Sequence, residues 1–124
     1  MATYQIVPSD GILRTTVEGD LDYRATAEVL HAIASQNAAE GHHLLVDFRG
    51  ADGADLSFVD VYKLVKLLRE HPTSFNGRIA LLDSFREGFE KVQFFEASAE
   101  VEGYRVRSFL EEAAAVRWLE GQTL

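Results

Sequence analysis

Residues 43–48 and 78–83 have the sequences HLLVDF and RIALLD. Each contains a short, unbroken apolar run, which is typical of a strand that is covered on both faces of a sheet. Between them, Val61, Leu64 and Val65 recur at helical spacing, and the charged residues fall on the opposite side. A helix of this length between two strands indicates that the strands run parallel. This stretch therefore predicts an α/β fold with a parallel sheet at its centre.

The chain before this centre predicts a β-hairpin and a first helix. Residues 3–7 and 12–18 are rich in β-branched residues, and residues 8–11, PSDG, have a turn composition between them. An Ala- and Leu-rich segment follows, with Asp22 as its helix N-cap and Gly41 as its C-terminal stop.

The chain after this centre predicts a third helix, a fifth strand and a fourth helix. The third helix opens at Ser84 and ends at Gly103. In residues 104–109, Arg105 and Arg107 fall on one face of the expected strand, which suits an edge strand. The last helix is expected over residues 109–120. The order is ββαβαβαβα, which predicts a single domain, 1–124, with a mixed, mostly parallel five-stranded sheet and four helices.

Composition excludes several classes of function. Twelve basic residues against twenty acidic residues give a net charge of −8, which disfavours nucleic acid and anionic membranes as partners. The chain has no cysteine, so it has no disulfide, thiolate nucleophile or iron–sulfur cluster. The four histidines match no metal-binding motif, and neither a metal nor a cofactor is expected. They are His31, His42, His43 and His71.

The N-terminus has no basic flank and no apolar run of signal-peptide length. Charged residues interrupt every segment that approaches the roughly 20 apolar residues of a membrane span. The sequence therefore predicts a cytoplasmic protein without a transmembrane segment.

Three serines precede an acidic residue by three positions. The pairs are Ser57 with Asp60, Ser84 with Glu87, and Ser108 with Glu111. Each falls where a helix is expected to start, and this spacing is typical of a capping box. Because the chain contains no Gly-x-Ser-x-Gly elbow, the serines are interpreted as helix caps rather than nucleophiles.

Six aspartates lie at or after the carboxyl ends of the expected strands, where open α/β sheets bind ligands. They are Asp20, Asp22, Asp47, Asp52, Asp55 and Asp83. Their spacing does not match a calcium loop, and no glycine-rich phosphate loop follows a strand. Cap and loop carboxylates are the favoured interpretation, and a metal-dependent enzyme is the alternative.

The third helix carries an unusual number of phenylalanines. Phe85, Phe89 and Phe95 fit one buried stripe, whereas Phe94 lies off it. The extra aromatic side chain suits a helix in a groove between its neighbours, an apolar ligand cavity or a partner surface. Phe85, Phe89 and Phe94 are therefore the candidate ligand-binding residues.

Two motifs resemble STAS domains, the sulfate-transporter and anti-sigma-factor-antagonist family. Residues 17–22, VEGDLD, are similar to the signature before the first helix of these domains, and residues 55–64, DLSFVDVYKL, to the segment that begins their second helix. The chain most resembles stand-alone bacterial proteins of the wider SpoIIAA-like superfamily, whose relatives include lipid-binding SEC14 domains. The resemblance implies a STAS, SpoIIAA-like fold over nearly the whole chain.

The second motif departs from the family at its phosphorylation site. Asp60 matches the family aspartate, but Val61 and Tyr62 replace the two serines and Lys63 replaces the glycine. The resemblance therefore implies a regulatory module without the phosphoserine switch. It leaves the start of the second helix open between Ser57, from the capping box, and Asp60, from the family pattern.

These observations predict a non-catalytic regulatory module that binds a protein partner. The expected partner-binding residues are Asp20, Asp22, Asp55, Asp60, Tyr62 and Lys63. A carrier or sensor of a small apolar ligand or lipid, as in SEC14 relatives, is the alternative function. The oligomeric state is left open, with a homodimer among the alternatives.

Overall fold

The structure, a computed structural model, describes residues 2–38, 41–84 and 88–121. The order ββαβαβαβα is confirmed. The elements are β1 (Thr3–Ser9), β2 (Ile12–Asp20), α1 (Tyr23–Asn37), β3 (His43–Asp52), α2 (Phe58–Leu67), a 3-10 turn (Leu68–Glu70), β4 (Arg78–Leu82), α3 (Phe89–Val101), β5 (Arg105–Phe109) and α4 (Glu112–Leu119).

The five strands form one sheet in the order β1-β2-β3-β4-β5. β1 pairs antiparallel with β2, and the other neighbours pair parallel, as predicted. β5 is an edge strand, and its Arg105 and Arg107 are exposed on either side of the buried Val106. The mixed, mostly parallel sheet is therefore confirmed.

The two faces of the sheet carry different helices. Each crossover from β2 to β5 moves one strand further in the same direction. Because such crossovers are right-handed, they place α1, α2 and α3 on the same face. Val29, Ile33 and Ala34 of α1, Val61, Leu64 and Val65 of α2 and Ala99 of α3 belong to one large apolar cluster, whereas α4 packs on a small cluster of its own.

β3 is covered on both faces, as its apolar run predicts. Leu44 and Val46 belong to the cluster beneath α1, α2 and α3, whereas Leu45 belongs to the cluster beneath α4. In β2, Leu13, Thr15 and Val17 are all buried, which confirms the predicted alternation of this strand.

The hairpin turn is tighter than predicted. Pro8 lies within β1 and pairs with Leu13, so that only Asp10 and Gly11 form the loop. Both have positive φ, 49° and 79°, which is the geometry of a two-residue hairpin turn. Proline is tolerated because β1 is an edge strand.

β3 extends beyond its predicted end at residue 48. Residues 50–52 continue the parallel pairing with residues 18–20, after a register shift between Thr16 and Glu18. The expected loop therefore begins after Asp52.

Two predicted helix starts differ from the structure. α3 begins at Phe89, with Gly88 as its N-cap at φ 98°, and the Ser84–Glu87 pair reaches into residues 85–87, which lie outside the described residues. The capping box at Ser108 was wrong, because Ser108 lies in β5 and its backbone N and Oγ donate to Glu96 on α3.

α4 begins only at Glu112, after an N-cap that makes no side-chain hydrogen bond. Among the residues described, no helix combines the length and the apolar character that a membrane crossing requires.

Candidate functional site

The carboxyl end of the sheet brings the predicted acidic residues together. Asp20 and Asp52 are paired across β2 and β3, and the Leu21 backbone N donates to the Asp52 carbonyl at 2.8 Å. The turn that carries Asp22 therefore lies beside the loop that carries Asp55. We call these four exposed aspartates the aspartate edge.

Two of the four aspartates also accept hydrogen bonds from backbone N–H groups. Asp22 caps α1, because its Oδ1 accepts from the Ala25 backbone N at 2.8 Å. Asp52 Oδ1 accepts from the Ala54 backbone N at 2.9 Å. These bonds fix the two turns and leave the outer carboxylate lone pairs toward solvent.

The first turn of α2 follows the aspartate edge and carries a complete capping box. The Asp60 backbone N donates to Ser57 Oγ at 3.0 Å, and the Ser57 backbone N donates to Asp60 Oδ2 at 3.1 Å. α2 therefore begins at Phe58, with Ser57 as its N-cap. This geometry decides between the two starts that the sequence left open.

Three large side chains project into solvent from the first five residues of α2. Phe58 is 45% exposed, Val59 63% and Tyr62 47%. We call these three residues the α2 surface. Phe94 on α3 contacts Phe58 edge to face, with the ring centroids 5.3 Å apart. The α2 surface is thus supported from the neighbouring helix.

Sequence reasoning found Tyr62 but missed Phe58 and Val59. Spacing indicates Val59, which lies on the side of α2 opposite the buried Val61, but not Phe58, which lies three residues before Val61 and therefore on nearly the same side of the helix. Exposed apolar side chains grouped in one turn mark an interaction surface more strongly than single ones do.

Lysines border the α2 surface. Lys63 Nζ lies 6.0 Å from the centre of the Tyr23 ring at the start of α1, and Lys66 Nζ lies 5.0 Å from the Tyr62 ring. The Lys66 ammonium also donates to Glu102 Oε1 at 2.7 Å, and this bond raises the pKa of Lys66. Tyr62 is therefore held beside a fixed positive charge.

The two remaining predicted aspartates lie apart from the aspartate edge. Asp83 is buried at the end of β4, where its Oδ1 accepts from the Ser84 backbone N at 2.8 Å. Asp47 is buried within β3, on the face that α4 covers. The six carboxylates therefore do not converge on one point.

Asp47 belongs to an ion network that joins β2, β3 and α4. Arg49 donates to Asp47 through Nε and Nη2, at 3.0 and 2.8 Å, and Arg14 donates to both carboxylate oxygens of Glu112, at 2.9 and 2.8 Å. Burial pushes the pKa of Asp47 upward, but the bonds from Arg49 and the charges of both arginines outweigh burial and lower it. The hydrogen bond from Arg14 likewise lowers the pKa of Glu112.

The opposite face of the sheet encloses an apolar cavity of about 500 Å³. The strands contribute Val17, Leu44 and Val46, and the helices contribute Val29, Ile33, Leu64, Val92 and Phe95. This volume lies within the range of ligand pockets, roughly 300 to 1,000 Å³. The structure therefore provides space for a small apolar molecule beneath α1, α2 and α3.

The cavity opens near the aspartate edge. Its exposed lining residues are Asp52, Ala54 and Glu90. Lys91 on α3 crosses this opening, because its Nζ donates to the Gly53 carbonyl at 2.9 Å. The opening is thus polar and the interior is apolar.

The predicted ligand-binding phenylalanines lie in different places. Phe94 packs against Phe58, and Phe89 is buried at the start of α3. Phe85 lies outside the described residues. Phe95, which the sequence assigned to the buried stripe, is the α3 phenylalanine that lines the cavity.

No protein-family model matches this chain, and no curated protein is similar to it in sequence. Solved structures do match. An anti-sigma factor antagonist from Mycobacterium paratuberculosis aligns with a TM-score of 0.67 and 14% identity, over 97% of this chain and 95% of its own.

Two further structures align over nearly the whole chain. A DUF3478-family protein with a SpoIIAA-like fold from Shewanella loihica PV-4 has a TM-score of 0.57 and 20% identity, over 95% of this chain and 93% of its own. The anti-sigma factor antagonist SpoIIAA in its unphosphorylated form has a TM-score of 0.57 and 17% identity, over 96% of this chain and 99% of its own. Together with the strand order and the helix placement, these matches identify the architecture: the chain has the SpoIIAA-like fold.

Proposed function

We propose that this protein is a non-catalytic regulatory module that binds a protein partner through the α2 surface. The observation that carries the proposal is the grouping of Phe58, Val59 and Tyr62, all more than two-fifths exposed, within the first five residues of α2. Burial of such side chains supplies the apolar centre that specific interfaces require. Two of the similar structures are named as anti-sigma factor antagonists, which is consistent with a regulatory role.

The charges around the α2 surface indicate the charge of the partner. Asp20, Asp22 and Asp55 lie in the turns that follow β2 and β3, at the end of the sheet where α2 begins, and the chain has a net charge of −8. An acidic surround favours a partner with basic residues around an apolar patch, because complementary charge speeds encounter and excludes like-charged proteins. Lys63 adds one positive charge that orients the partner on this surface.

The module acts without the phosphoserine switch of the STAS family. Val61 and Tyr62 occupy the two serine positions, and the Val61 side chain is buried on the side of α2 that faces the apolar cluster. Ser57 is the nearest serine in the sequence, and it is engaged in the capping box. Control of binding therefore comes from the partner or from a ligand, not from phosphorylation at this motif.

The test is a pull-down from the source cells with a triple variant. Val59→Asp, Tyr62→Ala and Lys63→Glu together place charge on the α2 surface and remove its aromatic ring. Val101→Asp is the matched control, because Val101 is 86% exposed at the far end of α3. The captured partner is then purified, and its affinity for each form is measured by calorimetry.

The expected result is loss of the partner in the triple variant and full retention in the Val101→Asp control. Thermal melting stays close to that of the parent, because all four positions are solvent-exposed. Equal affinity of the purified partner for the triple variant and the parent would refute the α2 surface as the binding site.

A second candidate function is a carrier or sensor of a small apolar ligand. The cavity of about 500 Å³ is the observation that favours it. Its opening lies beside the aspartate edge, so an occupant would touch the same end of the molecule as the protein partner. Ligand binding and partner binding are therefore compatible within one regulatory module.

Native mass spectrometry of protein purified from the source cells separates these functions. A co-purified apolar molecule that is lost in Leu64→Trp supports the carrier, because the larger ring occupies the cavity that Leu64 lines. A clean apo mass argues against it. Val101→Trp is the control, because it adds the same ring at an exposed position.

A further inference from the structure

Two histidines that are forty residues apart in sequence meet on the outer side of α1. His31 Nδ1 lies 3.0 Å from His71 Nε2, and the two rings are edge to face with centroids 5.2 Å apart. Glu70 adds a carboxylate, and one ligand atom of each of the three residues lies within 4.8 Å of the others. Glu70 and His31 are exposed and His71 is half-buried, so the cluster is open to solvent.

We propose that His31, Glu70 and His71 bind a divalent transition-metal ion of the zinc class. Imidazole nitrogen and carboxylate oxygen are the ligands that such ions take in proteins, and three protein ligands leave the fourth position for water. Tetrahedral zinc with nitrogen ligands at about 2.0 to 2.1 Å holds those nitrogens about 3.3 Å apart. The 3.0 Å separation needs to open by only a few tenths of an ångström.

The backbones that carry the two histidines are tied to each other. Ser74 Oγ donates to the Ala34 carbonyl of α1, and Asn37 Nδ2 donates to the Ser74 carbonyl, both at 2.8 Å. The Ser74 backbone N in turn donates to the His71 carbonyl at 3.1 Å. His71 therefore keeps its position relative to the helix that carries His31, and a metal site on fixed elements is preorganised.

Packing against Phe75 also orients the His71 ring. The His71 ring packs edge to face with the buried Phe75, with ring centroids 6.2 Å apart, and Pro72 restricts the backbone of His71 itself. Packing on one side leaves the ring edge that carries Nε2 directed at His31. The net charge of −8 further favours a cation at the surface.

Without a metal, one ring nitrogen must donate a hydrogen to the other. A metal ion replaces that hydrogen and links α1 to the 3-10 turn that follows α2. Ile33 on α1 and Leu68 in this turn both line the cavity. The ion would therefore join two elements of the cavity wall.

Calorimetric titration of the tag-free, chelator-treated protein with Zn²⁺ tests the site. We expect one ion per chain, bound at least about tenfold more weakly by His31→Gln, since even loss of a group that only hydrogen-bonds a metal ligand costs that much. Glu70→Gln weakens binding as well, whereas Glu100→Gln, an exposed carboxylate on α3, does not. Gln at position 31 keeps the exposed helix face intact, so this variant remains folded.

Two spectroscopic readouts locate the ion. Co²⁺ should give the intense visible bands of a four-coordinate site in the parent and lose them in His31→Gln. Ni²⁺ should broaden the ring resonances of His31 and His71 but spare His43, whose Nδ1 accepts from the Arg78 backbone N at 2.9 Å. Zn²⁺ should also raise the thermal midpoint of the parent but not of His31→Gln, because the site exists only in the folded state.

Absence of Zn²⁺ heat up to millimolar metal would overturn the proposal. Equal Zn²⁺ affinity of His31→Gln and the parent would overturn it too, because the ion would then lie elsewhere.

Discussion

On one face of the sheet, α1, α2 and α3 enclose a cavity of about 500 Å³. On the other face, α4 alone packs on a small apolar cluster, and an ion network fills the space beside it. Arg14, Asp47, Arg49 and Glu112 form that network. One face therefore has apolar space that the described residues leave open, and charged side chains cover the other face beside α4.

The topology explains this difference. Three right-handed crossovers in one direction place three helices on one face, and only the last helix remains for the other. α4 is a single helix about 10 to 12 Å in diameter, whereas five strands span about 19 Å across the sheet. Charged side chains complete the coverage that one helix is too narrow to provide. The cavity face, not the network face, therefore has room for a ligand.

The largest expected effects come from removing a buried leucine on each face. Leu82→Ala should lower the free energy of unfolding by about 3 to 5 kcal/mol, because Leu82 is fully enclosed beneath α4. Leu64→Ala should cost about 2 to 3 kcal/mol, because this side chain already borders the cavity and has fewer partner atoms to lose. Urea denaturation measures both free energies of unfolding, and equal losses would show that the two faces are equally well packed.

The ion network should contribute less than a buried leucine and should depend on pH. Asp47→Asn should lower the free energy of unfolding at neutral pH by about 1.5 to 3 kcal/mol, the range for hydrogen bonds to charged groups. Because the folded pKa of Asp47 is lowered, its stabilisation is complete above the unfolded pKa of about 3.9. The stabilisation disappears as the pH falls through the folded value below that.

Urea denaturation of the parent and Asp47→Asn between pH 7 and pH 2 measures this dependence. The two curves should converge at the acid end. Asp55→Asn is the control, since Asp55 is exposed in the loop and should change stability by no more than about 0.5 kcal/mol. A constant difference between parent and Asp47→Asn across this range would contradict the role of the network.

Enlarging a buried alanine on each face should have opposite effects on stability. Ala80→Leu should cost about 1 to 3 kcal/mol, because Ala80 is fully buried against the packed α4 cluster. Ala51→Leu should be neutral or stabilising, because Ala51 lines the cavity and the added carbons enter open space. Thermal and urea denaturation distinguish these outcomes, and a larger loss from Ala51→Leu than from Ala80→Leu would mean that the cavity is not available to added atoms.

The smallest effects are expected at the helix starts. Ser57→Ala should cost about 1 kcal/mol, because it removes the side-chain cap of α2 on the cavity face. Glu111→Ala should change stability by no more than about 0.5 kcal/mol, because Glu111 caps α4 without a side-chain hydrogen bond. Denaturation of both variants provides the check, and equal costs would show that the capping box does not stabilise α2.

Features that depend on near neighbours in the chain were predictable from the sequence. The Asp22 cap and the Ser57–Asp60 box each join residues three positions apart, and both are confirmed. The matching pattern at Ser108 was wrong because Glu96 takes both Ser108 donors across the α3–β5 contact. A local motif thus holds only where no distant partner competes for the same groups.

The candidate site was predictable in part. The edge that unites Asp20, Asp22 and Asp52 follows from parallel strands that end together. The exposure of Phe58 and Val59, and the place of Phe95 in the cavity wall, depend on how α2 and α3 rotate against each other. Hydrophobic spacing alone does not specify that rotation.

Strand and helix order, the parallel sheet and the Asp22 cap of α1 were determined by the sequence itself, because alternation, helical periodicity and capping act over a few residues. Tertiary structure alone decided the cavity, the contact of Arg14 with Glu112 across 98 positions and the meeting of His31 with His71 across 40. Side chains so far apart in the chain approach each other only after the sheet has assembled and its helices have packed. Their contacts therefore depend on packing distances that no local pattern encodes.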